Sequence, residues 1–215
     1  LQAAHARAAM AIVWDDHEVE NNYAGNWSEI GTKAEHFLYQ RAAAYRAFYE
    51  NLPVAPPALP EGPNNRIYDS FDNSVVVVPI ADSTDQWDGF PTARRRLIES
   101  LSKVSDPVVF TGDIHQHCAA EIQSESGQPV GVELVATSIA SDGDGFAGSK
   151  STEWLEKPYV KAMDKRRGYI KVHATREHLD SEFVVVPWIE RDDTAPRETA
   201  FSFRTNAGEH TLRSL

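Results

Sequence analysis

One cysteine, Cys118, is all the chain has, so no intrachain disulfide can form and the fold must hold by packing. No apolar run approaches the roughly 20 residues that a membrane-spanning helix requires. Positive charge is also scarce: 21 Lys and Arg face 32 Asp and Glu, leaving a net charge of -11. A nucleic-acid backbone binder needs a basic face, and this balance argues against one. Arg94-Arg95-Arg96 and Lys165-Arg166-Arg167 are too short to act as basic tails. They read as solvated helix faces or helix ends. Internal repeats and low-complexity segments are missing as well. Leu1 to Met10 (LQAAHARAAM) reads as the last turns of an Ala-rich helix with no capping residue ahead of it. From this we expect a chain that begins partway through a larger protein, with any export signal and a further N-terminal segment lying before Leu1.

What is present is enough for a substantial core. At 215 residues with 41% hydrophobic content, residues 1–215 read as one domain. Ala11 to Trp14 is a short buried strand. Thr32 to Asn51 is a helix with Phe37, Ala44, Tyr45, Phe48 and Tyr49 along one stripe, and Thr32 with Glu35 spells a capping box. Pro53 to Pro63 is a surface connection. Arg66 to Tyr68 and Ser74 to Ile80 are strands, and Thr92 to Lys103 is a helix facing inward through Leu97, Ile98 and Leu101. Strands follow at 107–111, 119–123, 130–137, 168–175, 182–187 and 199–204, the later ones alternating in a way that suits antiparallel pairing. The class is α/β, or α+β with a mixed sheet.

Two places share one design, an apolar strand that ends and at once delivers metal-type ligands. The first is Ala11-Ile-Val-Trp14 followed by Asp15-Asp16-His17-Glu18. The second is Val108-Val-Phe-Thr-Gly112 followed by Asp113-Ile-His115-Gln-His117. Adjacent carboxylates repel one another, so Asp15-Asp16 is better explained by a cation than by folding. Carboxylate with imidazole suits hard or borderline ions such as calcium, manganese, iron or zinc. Either strand end alone is a weak signal that an ordinary turn with a satisfied histidine also explains; the pair favours metal. If the second strand continued, His115 and His117 would share a face and Cys118 would point the other way as a small buried filler.

Competing motifs fail on spacing. His17-Glu18 begins like the zinc-protease helix signature, but Asn21 stands where the second histidine belongs. Asp142-Gly-Asp144-Gly145 starts like a calcium loop without its terminal glutamate and reads as a tight acidic turn. No nucleophile elbow or P-loop is present. His5, His36, His173, His178 and His210 have no ligand-like neighbour in the sequence and read as ordinary surface or core histidines.

The segments AIVWDDHEVENNYAG (11–25), AAAYRAFYENLP (42–53), DQWDGFPTARRRL (85–97), PVVFTGDIHQH (107–117), VELVATSIASDGDG (132–145), RRGYIKV (166–172) and FVVVP (183–187) stand in an order that resembles the PhoD-like alkaline phosphatases and phosphodiesterases of the metallophosphatase superfamily. The resemblance covers nearly the whole chain. It implies a sandwich of two mixed β-sheets flanked by helices, incomplete at the N-terminus, and hydrolysis of phosphate mono- or diesters at two or more metal ions, iron and calcium in this family. It makes Asp15, Asp16 and Asp113 metal ligands and His115 a ligand or a phosphate-facing acid. His17 becomes a group that stabilises the phosphoryl group or protonates the leaving alkoxide. Asn21, Asn22 and His117 would back the ligands or orient substrate. The implied partner is a small phosphate ester, and the implied location is outside the cytoplasm. Compared with the family, the stretch between Phe71 and Gln86 looks shortened. Two rivals remain: a truncated relative without turnover, and a calcium-stabilised interaction module.

Overall fold

The computed structural model describes residues 16–52, 62–64, 91–139, 141–148 and 152–215. The chain divides into two compact units, Leu1–Asp69 and Ser70–Leu215. The strands expected at 11–14, 66–68 and 74–80 lie outside the described residues, as does Asp15.

In the first unit a 3-10 turn, Asp16–Glu18, leads through a loop into helix α1, Ala34–Asn51. Phe37, Arg41 and Tyr45 are its buried residues, spaced four apart and so stacked on one face. Tyr23 from the loop packs on Phe37 with ring centroids 5.6 Å apart. The Arg41 guanidinium lies over the Tyr45 ring and donates to the Gly25 carbonyl. The expected capping box does not form. Lys33 is the N-cap and makes no side-chain cap bond, while the Thr32 amide donates to the Ser28 hydroxyl at 3.1 Å. Thr32 therefore sits one residue too early, held there by Ser28, which in turn donates to Glu20 at 2.6 Å.

The second unit has three layers. Helix α2, Pro91–Leu101, starts with proline at its first position, where no intrahelical N–H is needed. Strands β1 (Val108–Thr111), β2 (His117–Gln123), β3 (Pro129–Val135) and β4 (Val160–Asp164) form a sheet in the order β1-β3-β2-β4. β1 and β3 are parallel and the other pairs antiparallel, so this sheet is mixed. The short helix α3, Thr152–Leu155, precedes β4. Strands β5 (Arg167–Ala174), β6 (His178–Val186), β7 (Glu198–Asn206) and β8 (Arg213–Ser214) form a second sheet, antiparallel throughout in sequence order.

Alternation along the first sheet decides which side chains face which layer. Val108, Ala119, Val132 and Leu134 point toward the second sheet and pack with Phe183, Phe203 and Leu212. Val109, Ile122 and Val130 point the other way, under Leu97, Ile98 and Leu101 of α2. Cys118, Ala120, Val135 and Met163 form a further patch covered by Trp154 of α3 and by Ile114. Cys118 is a fully buried filler, as its position beside His117 implies. Gly168 has to be glycine, because a β-carbon there would sit inside the Val184 carbonyl of the neighbouring strand.

Burial pushes the Cys118 thiol well above its ordinary pKa. Ellman's reagent at pH 8 should therefore leave the folded chain unlabelled and react with one thiol per chain once denaturant unfolds it. Rapid labelling of the native chain would contradict this packing.

Candidate functional site

In the first unit, the carboxylate of Asp16 organises the turn that follows it. Its Oδ1 accepts the His17 backbone N–H at 2.8 Å, and its Oδ2 accepts the Asn22 backbone N–H. That bond holds Asn22 in the left-handed region, φ 53°. Asn21 and Asn22 then direct their side-chain amides at one acid: Asn21 Nδ2 donates to Glu29 Oε2 at 2.6 Å and Asn22 Nδ2 to Glu29 Oε1 at 2.9 Å. The Asn22 and Asn21 bonds draw the Glu29 carboxyl below its ordinary pKa. With both amide nitrogens committed to Glu29, each amide presents its carbonyl oxygen as an acceptor, the donor type that hard cations select. Glu29 escaped the sequence reading because it lies in a loop with no periodicity to point at it. His17 lies beside Asp16, with Nε2 4.0 Å from Oδ1.

In the second unit, β1 ends at Thr111 and the chain turns sharply. Asp113 has φ 70° and His115 φ 51°, and the Ile114 amide donates back to the Gly112 carbonyl at 2.9 Å. Non-glycine residues in this region cost on the order of 1 kcal/mol or more each and persist where the surroundings over-determine them. Asn, Asp and His tolerate it better than most residues. Among the described residues only Asn22, Asp113 and His115 adopt it without being glycine, and all three are residues that the motifs single out. Asp113 is exposed and His115 half-buried.

A buried arginine fixes this turn from behind. Arg167 Nη1 donates to the His115 carbonyl at 3.2 Å and to the Lys165 carbonyl at 3.3 Å. Its Nη2 donates to the Asp142 carbonyl at 2.7 Å and its Nε to the Ser141 carbonyl at 3.3 Å. Arg166 forks onto Asp164 at 2.9 and 3.1 Å and reaches Glu198 at 2.6 Å. Lys165-Arg166-Arg167 is thus not a solvated helix end. It spans the tight connection from β4 to β5, and burial of its guanidinium groups is made tolerable by acceptors from other segments. The Asp142 to Gly145 turn is structural too: Asp144 Oδ1 accepts the Ile189 and Glu190 amides at 2.6 and 2.9 Å.

His117 is the first residue of β2, whereas His115 lies before the strand in the left-handed turn, so the two do not share a strand face. The His117 ring is fully buried and set edge-on to Phe183 at 5.2 Å. Its Nδ1 accepts the Thr137 amide at 3.2 Å and its Nε2 donates to the Val184 carbonyl at 3.3 Å. Burial, the largest influence, lowers its pKa. With both nitrogens on main-chain groups, His117 bridges the two sheets.

Two histidines without neighbours in the sequence gain them in space. His173 of β5 pairs directly opposite Asp180 of β6, and His178 stands two residues from Asp180. One donor atom from each lies within 4.8 Å of the others. Strand register, which no local pattern records, brings them together.

The two-sheet sandwich with its strand-end turn is the architecture of a phosphatase family, as comparison with known proteins shows. The model for the PhoD-like phosphatase family matches residues 1–77 and 73–183, and the chain belongs to that family. It is similar to alkaline phosphatase D of Bacillus subtilis (strain 168), with 27% identity over 274 residues, covering 91% of this chain and 47% of that protein. The solved structure of PhoD matches with a TM-score of 0.81 and 26% identity, covering 94% of this chain and 54% of that one. The chain therefore spans about half the length of these relatives. The family match comes in two segments that overlap at 73–77.

Arg167→Met would leave four carbonyls without their donor, and should cost about 3 kcal/mol of stability in a denaturant melt. Arg167→Lys keeps the charge but loses the fork, and should fall between the two. Glu29→Ala should leave the melting temperature nearly unchanged while averaging the Asn21 and Asn22 side-chain amide NMR signals toward free values, because it frees those amides rather than any buried group.

Proposed function

We propose that this chain carries the ligand-bearing strand ends of a metal-dependent phosphoric ester hydrolase that acts on small phosphate mono- or diesters. The observation that carries the reading is the strained turn after β1, where Asp113 and His115 both adopt left-handed backbone directly behind a buried parallel strand. Ligands collect in this kind of loop at the carboxyl end of such strands, and family membership makes phosphate chemistry the leading class.

The donor set fits metal ions. In the first unit Asp16 offers carboxylate oxygen and Asn21 and Asn22 amide oxygen; in the second Asp113 offers carboxylate oxygen and His115 an imidazole; each group suits hard or borderline cations. We assign Asp15, Asp16, Asp113 and His115 to the cations, with iron and calcium as the leading identities by family likeness. When bound, such ions offset the substrate's negative charge and supply an activated water as nucleophile. The chain's own residues do the rest. His17, or His115 where it is not a ligand, faces the phosphoryl group and protonates the leaving alkoxide. Asn21 and Asn22, held by Glu29, orient the substrate or the ligands. His117 supports this arrangement only by fixing where β2 begins. Export is part of the same reading. Among the described residues no helix is long and apolar enough to cross a membrane.

Asp16→Ala and Asp113→Ala, made separately, test the assignment. Each should lower bound metal, measured by elemental analysis, and hydrolysis of a chromogenic phosphodiester. The loss should be at least the roughly 10–100-fold that removing even a supporting partner of a metal ligand costs. If both variants kept full metal content and activity, the assignment would be wrong.

A further inference from the structure

We propose that the closed end of the β5–β6 hairpin is a metal site in its own right, where His173, His178 and Asp180 take a borderline divalent ion of the zinc, nickel or copper class. His173 and Asp180 are direct cross-strand partners, and His178 lies on the same face of β6 as Asp180. Their donor atoms lie within 4.8 Å of one another. The scaffold is firm. Thr175 closes the turn, accepting the Glu177 and His178 amides at 3.2 and 3.0 Å and donating to the His178 carbonyl at 3.1 Å.

Arg204 fixes the third donor. It grips Asp180 with a fork, Nε to Oδ1 at 2.6 Å and Nη2 to Oδ2 at 2.7 Å. Each carboxylate oxygen keeps a second lone pair, and Oδ2 already lies 3.5 Å from His178 Nε2. Two imidazoles and one carboxylate select borderline ions over calcium or magnesium, and three protein ligands leave a coordination position open. Two features limit affinity. The Arg204 charge repels a cation, and a 4.8 Å spread exceeds the roughly 3.4 Å donor spacing of a tetrahedral ion with bonds of about 2.1 Å. His173 is exposed and can rotate inward, so the second limit is soft.

This site is separate from Asp113 and His115, the ligands assigned above in the same unit. His173 stands six residues along β5 from Arg167, which holds the His115 carbonyl, roughly 20 Å at strand rise. The inference therefore survives or fails independently of the proposed hydrolase.

The test uses the full 215-residue chain, with zinc or nickel salts alone as the probe. Zinc should shift the NMR signals of the His173 and His178 rings, and nickel should broaden residues 171–182 before any others in the hairpin sheet. Calcium should do neither. By equilibrium dialysis, H173A/H178A should bind one zinc fewer than the parent, while D113A keeps the hairpin response. Unmoved His173 and His178 signals would overturn the proposal. So would an unchanged zinc count in a double variant whose circular dichroism matches the parent, or a hairpin response to calcium equal to that of zinc.

Discussion

Phe183 is fully buried between the two sheets of the second unit, edge-on to the His117 ring and 4.4 Å from the Phe201 centroid. Around it pack Val108, Ala119, Val132 and Leu134 from the first sheet and Phe203 from the second. Apolar area removed from water at this seam is the dominant favourable term, and truncating such a side chain typically costs 3–5 kcal/mol. The seam also aligns the first sheet. His117 can donate to the Val184 carbonyl only when β2 begins where it does, and β1 ends at the same end of the sheet, one strand away across β3, so the Gly112–His115 turn emerges at one place.

That turn is unfavourable by itself. Its left-handed backbone at Asp113 and His115 is maintained by what grips it: half-buried Ile114 packed against the Cys118 patch on one side, and Arg167 Nη1 on the His115 carbonyl on the other. The first unit solves a similar problem differently. There the Asp16 carboxylate holds the left-handed Asn22 through its amide, and Glu29 restrains the two neighbouring side chains. In both turns, the residues that the motifs single out are held by hydrogen bonds to partners six or more residues away in the chain.

Much of the fold was legible because it is written in local patterns. The apolar runs at β1, β3 and the second half of β6 announce buried strands, and Leu97, Ile98 and Leu101 recur at helical spacing in α2. β4 was missed because Val160–Asp164 is short and interrupted by the exposed Lys161. The first half of β6 was missed because His178-Leu-Asp-Ser181 is polar, stabilised by cross-strand partners rather than by burial. The capping box failed for a reason outside its own four residues, since Ser28 captures the amide that Thr32 should have presented.

By itself, then, the sequence determined the type and order of most of the described elements and marked the two acid-and-imidazole clusters, because hydrophobic periodicity and adjacent acids are local facts. Only the tertiary structure decided what each polar residue does. Arg167 changes from a surface charge to a buried clamp, His117 becomes a bridge between sheets, and His173, His178 and Asp180 become neighbours. Register and sheet packing set these outcomes, and both are relations between residues too far apart for any local pattern to encode.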